Sequence, residues 1–338
     1  MAATVTTLLD IGLLNQITDL VLAEKGAVDQ YFDEEPIAKR LMESVIEKEG
    51  PGIRQPINLD RGTTFGYPTG GEYTLAQTDP TQLLQFTWKH QASSMVIPKT
   101  TFDFARNNPN MLEDLIKVQR DTAYKSLLHD MAQQFRGIAV PSISSASQFQ
   151  SFNTICASTG TYGGLSRTTY PILSGYTLDM SAAPYSASTT TILIAGNLLV
   201  TILRKAFTYV SRPGETEVTN VIFMPQNMWL TACCIADQAF SPFKASESRE
   251  WGGQSFKIDG IECVLDNEMA EGTIEVCNFN YLDLVTHPLY NFKFTGWYDD
   301  GKSDNITALL KLSGEIVSLK PKRQAIITGC PTTWSNPS

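Results

Sequence analysis

The sequence predicts an α+β fold, in which helices gather in the middle of the chain and strands are distributed around them. One long amphipathic helix is indicated over 109–136, and shorter helices are indicated over 197–210 and from Pro225 onwards. Strand-like stretches predominate in the last third of the chain, over 255–265, 273–278, 291–296, 306–319 and 324–328. Segregated helices and strands of this kind favour α+β over an alternating α/β architecture.

Composition places the chain among folded proteins of low charge. Of its 338 residues 42% are hydrophobic and 18% are charged, and the net charge is −9. An acidic balance argues against a protein that grips nucleic acid along its whole surface, because phosphate binding depends on clustered Lys and Arg. The short basic run from Lys320 to Arg323 is interpreted as a solvated turn, with an electrostatic contact to a partner or to nucleic acid as the alternative.

Neither a membrane span nor a disulfide framework is indicated. The longest apolar runs, such as 192–195, are far shorter than the roughly 20 residues that cross a bilayer. The six cysteines include no C-x-x-C pair, so we interpret them as reduced, packed thiols. A metal or redox role for the adjacent Cys233 and Cys234 is the alternative.

Two helices are predicted before residue 51. The first is indicated by helical spacing of apolar residues from Leu9 to Val21. The second has Asp33 as its N-cap and places Ile37, Leu41 and Val45 on one face. Gly50 and Pro51 are typical helix stop signals, so we expect the second helix to end there.

Residues 52–98 are rich in Gly, Pro, Thr and Gln and predict a long two-stranded ribbon around the runs 63–67 and 84–88. Little in this segment could form a core by itself. Its aromatic side chains are expected to be exposed and to pack on a neighbouring subunit; they are Tyr67, Tyr73, Phe86 and Trp88.

The helix over 109–136 is the strongest single prediction, and we call it the spine helix. Pro109 suits the first helical position and Gly137 suits the stop. Apolar residues keep helical spacing along its whole length and predict one buried face: Leu112, Leu115, Ile116, Ala123, Tyr124, Leu127, Leu128, Met131 and Phe135.

One motif of enzymes matches by pattern alone. The run from Gly296 to Ser303 fits the phosphate-loop pattern G-x-x-x-x-G-K-[ST]. A phosphate loop needs a following helix whose N-terminus faces the anion, whereas 306–312 alternates like a strand. We therefore expect a β-turn between two strands, with nucleotide binding as the alternative.

No other catalytic signature is present. The histidines, His90, His129 and His287, are widely separated and lie in unlike settings. No G-x-S-x-G, H-E-x-x-H or G-x-G-x-x-G occurs. The sequence predicts no catalytic residue, no metal site and no cofactor.

Three local stretches, taken in order, resemble a known family. They are Gly163-Gly164-Leu165-Ser166-Arg167 with Tyr170-Pro171, then Met224-Pro225-Gln226-Asn227-Met228-Trp229, then Phe256-Lys257-Ile258-Asp259-Gly260-Ile261-Glu262-Cys263-Val264 with the segment to Phe279. Together with the order of elements they resemble the major capsid proteins of tailed bacteriophages, which have the Hong Kong 97 fold. Each motif is weak alone, and the specificity lies in their order along nearly the whole chain.

The resemblance implies a division of the chain into named parts. These are an N-terminal arm (1–51), an extended β-hairpin loop lying over the neighbour (52–105), a peripheral domain with the spine helix (106–185), an axial domain (186–288), peripheral-domain strands (289–319), and an axial strand with the C-terminal tail (320–338).

The resemblance also implies a structural protein rather than an enzyme. It would self-assemble as hexamers and pentamers into an icosahedral head shell that encloses double-stranded DNA without sequence-specific binding, without a cofactor and without a membrane. Because only about 50 residues precede the ribbon, a separate scaffolding protein is expected, as are a portal and a decoration protein. The expected location is the virion, after assembly in the host cytoplasm.

The residues expected to contact neighbouring subunits are Tyr67, Tyr73, Phe86, Trp88, Lys89 and Arg167. Two alternatives to the viral shell remain open at this point. One is a cellular shell protein of the same fold that encloses cargo. The other is a nucleotide-binding enzyme that uses Gly296 to Ser303.

Overall fold

A computed structural model of the chain describes residues 35–59, 81–105, 109–182, 192–211, 220–230, 232, 255–258, 261–299 and 304–330. The predicted first helix, Tyr67, Tyr73 and the Cys233–Cys234 pair lie outside these ranges. The chain divides into two compact units. Unit 1 comprises 1–48, 89–151 and 284–316, and unit 2 comprises 49–88, 152–283 and 317–338.

The helices include α1 (Pro36–Glu43), α2 (Lys99–Ala105), α3 (Pro109–Phe135), α4 (Phe152–Cys156) and α5 (Ile192–Val210). The strands are β1 (Val45–Glu47), β2 (Ile53–Asn58), β3 (Thr81–Phe86), β4 (Lys89–Pro98), β5 (Thr161–Tyr162), β6 (Leu165–Ser166), β7 (Tyr176–Asp179), β8 (Asn220–Met224), β9 (Ser255–Ile258), β10 (Ile261–Leu265), β11 (Ile274–Asn278), β12 (Leu282–Thr286), β13 (Lys293–Phe294), β14 (Tyr298–Asp299), β15 (Asn305–Ser318) and β16 (Ala325–Thr328).

Unit 1 is organised around the antiparallel pairing of β4 with β15. The ladder runs over ten residue pairs, from Lys89 opposite Gly314 to Pro98 opposite Asn305. The sheet continues in the order β1-β12-β15-β13, and β14 also pairs with β15. Met95 and Ile97 of β4 pack with apolar residues of α3 and β15 in one buried cluster, so this sheet and α3 share a core.

Helix α3 is the predicted spine helix and ends at Phe135, one residue before the predicted boundary. Gly137 has φ +81, the left-handed conformation that glycine adopts without a Cβ penalty. Its N–H donates to Gln134 O at 3.0 Å, and Ile138 N–H donates to Gln133 O at 2.9 Å, which is the Schellman pattern. The predicted buried face is confirmed at Ile116, Ala123, Leu127, Leu128, Met131 and Phe135.

The second predicted helix is shorter than expected. Helix α1 ends at Glu43, and Val45 lies in β1, which pairs in parallel with β12. The prediction that Val45 belongs to a helical face is therefore wrong. Ser44 donates both its N–H and its hydroxyl to Leu41 O at 3.2 Å, which ends the helix, and the ladder with β12 then overrides the helical pattern.

The predicted ribbon is confirmed as a two-stranded antiparallel pair near its base. Strands β2 and β3 pair from Ile53 opposite Phe86 to Asn58 opposite Thr81. Strand β4, however, belongs to the sheet of unit 1 and not to the ribbon. Ile53, Leu84 and Phe86 are buried, so the base of the ribbon contributes to the core of unit 2.

Unit 2 is built on a six-stranded sheet in the order β7-β16-β11-β8-β10-β9. Strands β16 and β7 are parallel, as are β10 and β8, and the remaining neighbours are antiparallel. Helix α5 packs its buried residues, among them Ile202, Leu203 and Ala206, with side chains of this sheet. The sequence missed β7 and β12, which are short strands between turns.

The boundaries of the two compact units do not coincide with the domain boundaries that the resemblance implied. Residues 106–185 divide between the units after residue 151, and 186–288 divide after residue 283. The last boundary, at 319, lies three residues beyond the end of the unit 1 segment at 316. In this region β12 and β15 each run from one unit into the other.

We predict that Leu127→Asp destabilises unit 1 by several kcal/mol, on the order of 4 kcal/mol, because an unpaired carboxylate would enter the core. Leu127 is 2% exposed. The measurement is chemical unfolding of the purified chain together with its soluble yield. Val118→Asp is the matched control, since Val118 lies on the same helix and is 60% exposed; it should cost less than about 0.5 kcal/mol. Equal effects of the two variants would contradict the helix register.

Candidate functional site

The glycine-rich motif forms a tight hairpin at the base of the ribbon in unit 2. Strands β5 and β6 pair across Gly163 and Gly164, whose φ angles are +54 and +83. A Cβ on Gly163 would lie 2.7 Å from Leu84 Cδ2. Glycine is required here both for the left-handed backbone and for the close approach of β3.

Tyr162 and Gly163 join this hairpin to β3 and β15. The Tyr162 hydroxyl donates to Ser318 O at 2.9 Å and accepts from Ser318 N–H at 2.7 Å. Its ring meets Phe86 edge to face, with centroids 5.3 Å apart. Gly163 O accepts a hydrogen bond from Gln85 N–H at 2.9 Å, so the hairpin fixes the base of the ribbon through both side-chain and backbone contacts.

Arg167, the last residue of the glycine-rich segment 163–167, contacts Tyr162 and the loops around it. Its guanidinium lies over the Tyr162 ring, 5.2 Å from the centroid. It donates to four carbonyl oxygens, those of Leu173 at 3.1 Å, Thr159 at 3.1 Å, Thr154 at 2.6 Å and Ile155 at 3.1 Å. The residue is 2% exposed. Arg167 was expected to contact a neighbouring subunit, but its donors are used within its own unit, and we correct that assignment.

The other predicted contact residues have different positions. Phe86 is 7% exposed, so the expectation that it is an exposed aromatic is wrong. Trp88 is half-buried and donates its indole N–H to Gly50 O at 2.8 Å. Lys89 donates from Nζ to Ala146 O at 2.7 Å. Contacts of Trp88 and Lys89 with a neighbouring subunit stay a prediction.

Burial decreases along the ribbon away from this base. Ile53 and Phe86 are buried, whereas Asn58 and Thr81 at the far end of the ladder are exposed. Leu83 is also exposed, on the opposite face from Leu84. An isolated two-stranded hairpin is at best marginally stable in water, so the outer part of this ribbon is suited to packing on another surface.

Unit 1 holds a buried carboxyl group beside the β4–β15 ladder. The Glu315 side chain accepts hydrogen bonds from Gln150 N–H at 2.7 Å and Ile316 N–H at 3.1 Å. Desolvation by burial raises the pKa of Glu315 to about 7, against the opposing effects of these two bonds and the Lys89 charge. Nearby, the amide side chains of Gln91 and Gln134 are joined at 2.7 Å. Each of these three buried side chains therefore has a hydrogen-bond partner within the fold.

The basic run has a structural role at the end of α5. Arg323 Nη1 donates to Tyr209 O at 3.0 Å and Ser211 O at 2.9 Å, which places a cation at the negative end of the helix dipole. Lys320 Nζ lies 4.0 Å from the centroid of the Tyr281 ring. Lys322 is exposed. Only part of the run is therefore a solvated turn.

The geometry around Gly296 is that of a strand connection. Residues Tyr298–Asp299 form β14 and pair with β15, and Asp299 makes an ion pair with Lys99 at 2.8 Å. The next described element is a strand from Asn305, not the helix that a phosphate loop requires. Residues 300–303 lie outside the described ranges.

Within the described part of the chain, no group of three or more His, Cys, Asp or Glu side chains is placed to hold a metal ion. Over the same residues no helix has the length and apolar character to cross a bilayer. The cysteines at 156, 263, 277 and 330 are buried thiols, and burial raises the pKa of Cys330 to about 12.

Comparison with known proteins gives a fold but no sequence family. No family model matches the sequence, and no curated protein matches it. The structure is similar to a chain of the Cyanophage A-1(L) capsid asymmetric unit, with a TM-score of 0.65 and 13% identity over 88% of this chain and 93% of that chain. This chain has the Hong Kong 97 fold.

Two further solved structures support the Hong Kong 97 fold and the α+β class predicted from the sequence. The capsid of an empty GTA particle matches with a TM-score of 0.54 and 12% identity, over 87% of this chain and 90% of that chain. The SrpI encapsulin complex from Synechococcus elongatus matches with a TM-score of 0.54 and 9% identity, over 88% of this chain and 90% of that chain.

We predict that Arg167→Met destabilises unit 2 by about 3 kcal/mol, because four buried carbonyls would lose a charged donor. Chemical unfolding measures the loss, and hydrogen exchange of the Gln85 amide reports whether the ribbon base loosens. Arg54→Met, an exposed position on the ribbon, is the control and should change stability by less than about 0.5 kcal/mol. An unchanged Gln85 exchange rate in Arg167→Met would show that the motif does not hold the ribbon.

We predict that Glu315 makes the protein less stable as pH rises from about 4.5 to about 7. Over that range the folded chain retains a proton that the unfolded chain has released, because the pKa is raised from 4.5 to about 7. Glu315→Gln should remove this part of the pH dependence, and its stability relative to wild type should improve from pH 5 to pH 8. The measurement is the free energy of unfolding of wild type and Glu315→Gln at pH 5 and at pH 8. The exposed Glu49→Gln is the control. Parallel pH profiles for wild type and Glu315→Gln would exclude the effect.

Proposed function

We propose that this chain is the major capsid protein of a tailed bacteriophage and that it self-assembles into an icosahedral head shell around double-stranded DNA. The observation that carries the proposal is the shared fold with the Cyanophage A-1(L) capsid chain, which extends over 88% of this chain and 93% of that one. Similarity over nearly the full length of both chains argues that the whole chain, and not one embedded domain, serves the same architectural purpose.

The proposal assigns one domain of a capsid subunit to each compact unit. Unit 1, which holds α3 and the β4–β15 ladder, is the peripheral domain. Unit 2, with its six-stranded sheet and α5, is the axial domain at the centre of each hexamer and pentamer. In this proposal the protein acts through the surfaces by which its copies contact one another, and the proposal includes no catalytic residue and no cofactor.

The ribbon is proposed to lie over a neighbouring subunit. Its base is fixed by Tyr162 and Gly163, and its exposed far end leaves apolar side chains such as Leu83 in need of a partner. A second copy of the chain is always present in a shell and supplies that surface. Tyr67, Tyr73 and Trp88 remain contact candidates in this arrangement.

Other partners belong to the same proposal. A separate scaffolding protein would direct assembly in the host cytoplasm, a portal would occupy one vertex, and a decoration protein could bind the outer surface. The net charge of −9 suits a wall that encloses DNA without binding it tightly, because tight phosphate binding needs clustered cations.

A cellular shell protein that encloses cargo is the second candidate. It is favoured by the similarity to the SrpI encapsulin complex, at a TM-score of 0.54. The nucleotide-binding alternative has no comparable support, because a strand follows the Gly296 turn.

Electron microscopy of the purified, overexpressed chain tests the proposal. We expect hollow icosahedral particles or capsomers, and a chain that remains monomeric under all assembly conditions would contradict both shell functions. Particles isolated from the native source then separate the two candidates. Nuclease-resistant DNA of uniform length indicates a virion, whereas enclosed protein without DNA indicates a cellular compartment.

We predict that replacing residues 61–79 with a short Gly-Ser turn leaves a folded chain that no longer forms closed shells, because the ribbon would lose its reach over the neighbour. Circular dichroism checks the fold, and sedimentation with electron microscopy checks assembly. The control replaces only 69–71 by the same number of Gly and Ser residues. Closed shells of normal size from the shortened chain would show that the ribbon is not an inter-subunit element.

A further inference from the structure

We propose that the two ends of the unit 2 sheet are complementary contact surfaces, and that the basic end of one copy meets the acidic end of the next. The basic end consists of Lys320, Lys322 and Arg323, in the turn before β16, together with Tyr209 near the end of α5. The acidic end is formed by Asp179, Glu268 and Glu271. This inference rests on the proposed function, because it names residues through which copies would associate.

The register of the sheet puts these groups at opposite ends. Strand β16 pairs antiparallel with β11, with Ala325 opposite Val276 and Ile327 opposite Ile274. The basic turn directly precedes Ala325, whereas Glu268 and Glu271 lie in the turn that precedes Ile274. A strand of five residues spans about 17 Å, so cations and carboxylates at the two ends cannot pair within one copy.

The basic end presents cations beside exposed aromatic surface. Tyr209 is 46% exposed and stacks on Tyr176 with ring centroids 4.2 Å apart. Arg323 is anchored by the Tyr209 and Ser211 carbonyls, and Lys320 is held over Tyr281. Lys322 is exposed and has no partner within the described residues. Tyr and Arg side chains are enriched in contact surfaces between proteins.

At the acidic end, the described residues include carboxylates but no cation beside them. Asp179, Glu268 and Glu271 are exposed. The described residues around them, 179–182, 224–230, 265–273 and 328–330, include no Lys, Arg or His. Asp179 bonds to Ser181 and Glu271 bonds to Asn227, while Glu268 has no side-chain partner within the described part of the chain.

A second copy is the partner that this arrangement fits. Copies related by rotation around an axis touch through two different patches, which must be complementary, and a ring forms where the rotation closes. One basic and one acidic patch on the same unit meet that requirement. In a chain with a net charge of −9, local attraction between the patches also offsets the general repulsion between copies. Contacts of this type set register and association rate.

The test reverses single charges and then restores complementarity. Lys322→Glu alone should put like charges face to face and slow shell or capsomer formation by about tenfold, and Glu268→Lys alone should do the same. The double variant, which has the wild-type net charge and again carries opposite charges, should regain most of the wild-type rate. Lys293→Glu, an exposed position in unit 1, is the control for a general change of charge and should assemble normally.

The measurements are light scattering for the rate and electron microscopy for the product, with thermal unfolding to show that each variant is folded. Normal assembly of either single variant, or a double variant no better than the single ones, would overturn this inference while leaving the shell function intact. If wild type does not assemble at all, the proposed function itself fails. Loss of DNA binding in Lys322→Glu with unchanged assembly would assign the basic turn to a polyanion and also overturn the inference.

Discussion

The ribbon formed by β2 and β3 imposes the constraint on which much of unit 2 depends. Two strands cannot bury both faces of their own side chains, so the ribbon must be fixed at its base by the rest of the unit. The fixing groups are Tyr162, bound to both backbone atoms of Ser318, and Gly163, which brings β5 and β6 against Leu84. Arg167 in turn holds the loops around Tyr162 by four carbonyl bonds.

The two units bury ionisable groups in opposite ways. Arg167 donates to four carbonyl oxygens, which stabilise the charged guanidinium, while burial lowers its pKa. Glu315 accepts two backbone bonds, yet desolvation outweighs them and its pKa rises to about 7. The carbonyl oxygens around Arg167 favour its charged form, whereas the carboxyl of Glu315 has too few donors to offset its burial and makes stability depend on pH.

The similarity to capsid chains at 13% identity or less has a physical explanation in these contacts. Backbone groups provide most of the bonds at the ribbon base, and backbone groups do not depend on residue type. Only positions with a special conformation or a charged donor, such as Gly163 and Arg167, constrain the sequence locally. A fold built in this way tolerates replacement of most other side chains so long as the apolar periodicity is kept.

Helix α3 was determined by the sequence alone, because its periodicity, its Pro109 start and its Gly137 stop are local signals that agree with one another. The presence of a two-stranded ribbon between 52 and 98 and most strands of unit 2 were predictable for the same reason. Tertiary structure decided the end of α1, the assignment of β4 to unit 1 and the inward direction of Arg167. The first two depend on partners far away in sequence, as with His90 and Ser313, which are 223 residues apart and bonded at 2.7 Å. Arg167 depends instead on how the nearby loops fold around it, since its four carbonyl partners lie 6 to 13 residues away. Local propensity carries no information about such partners, so burial and pairing at these positions follow only from the folded chain.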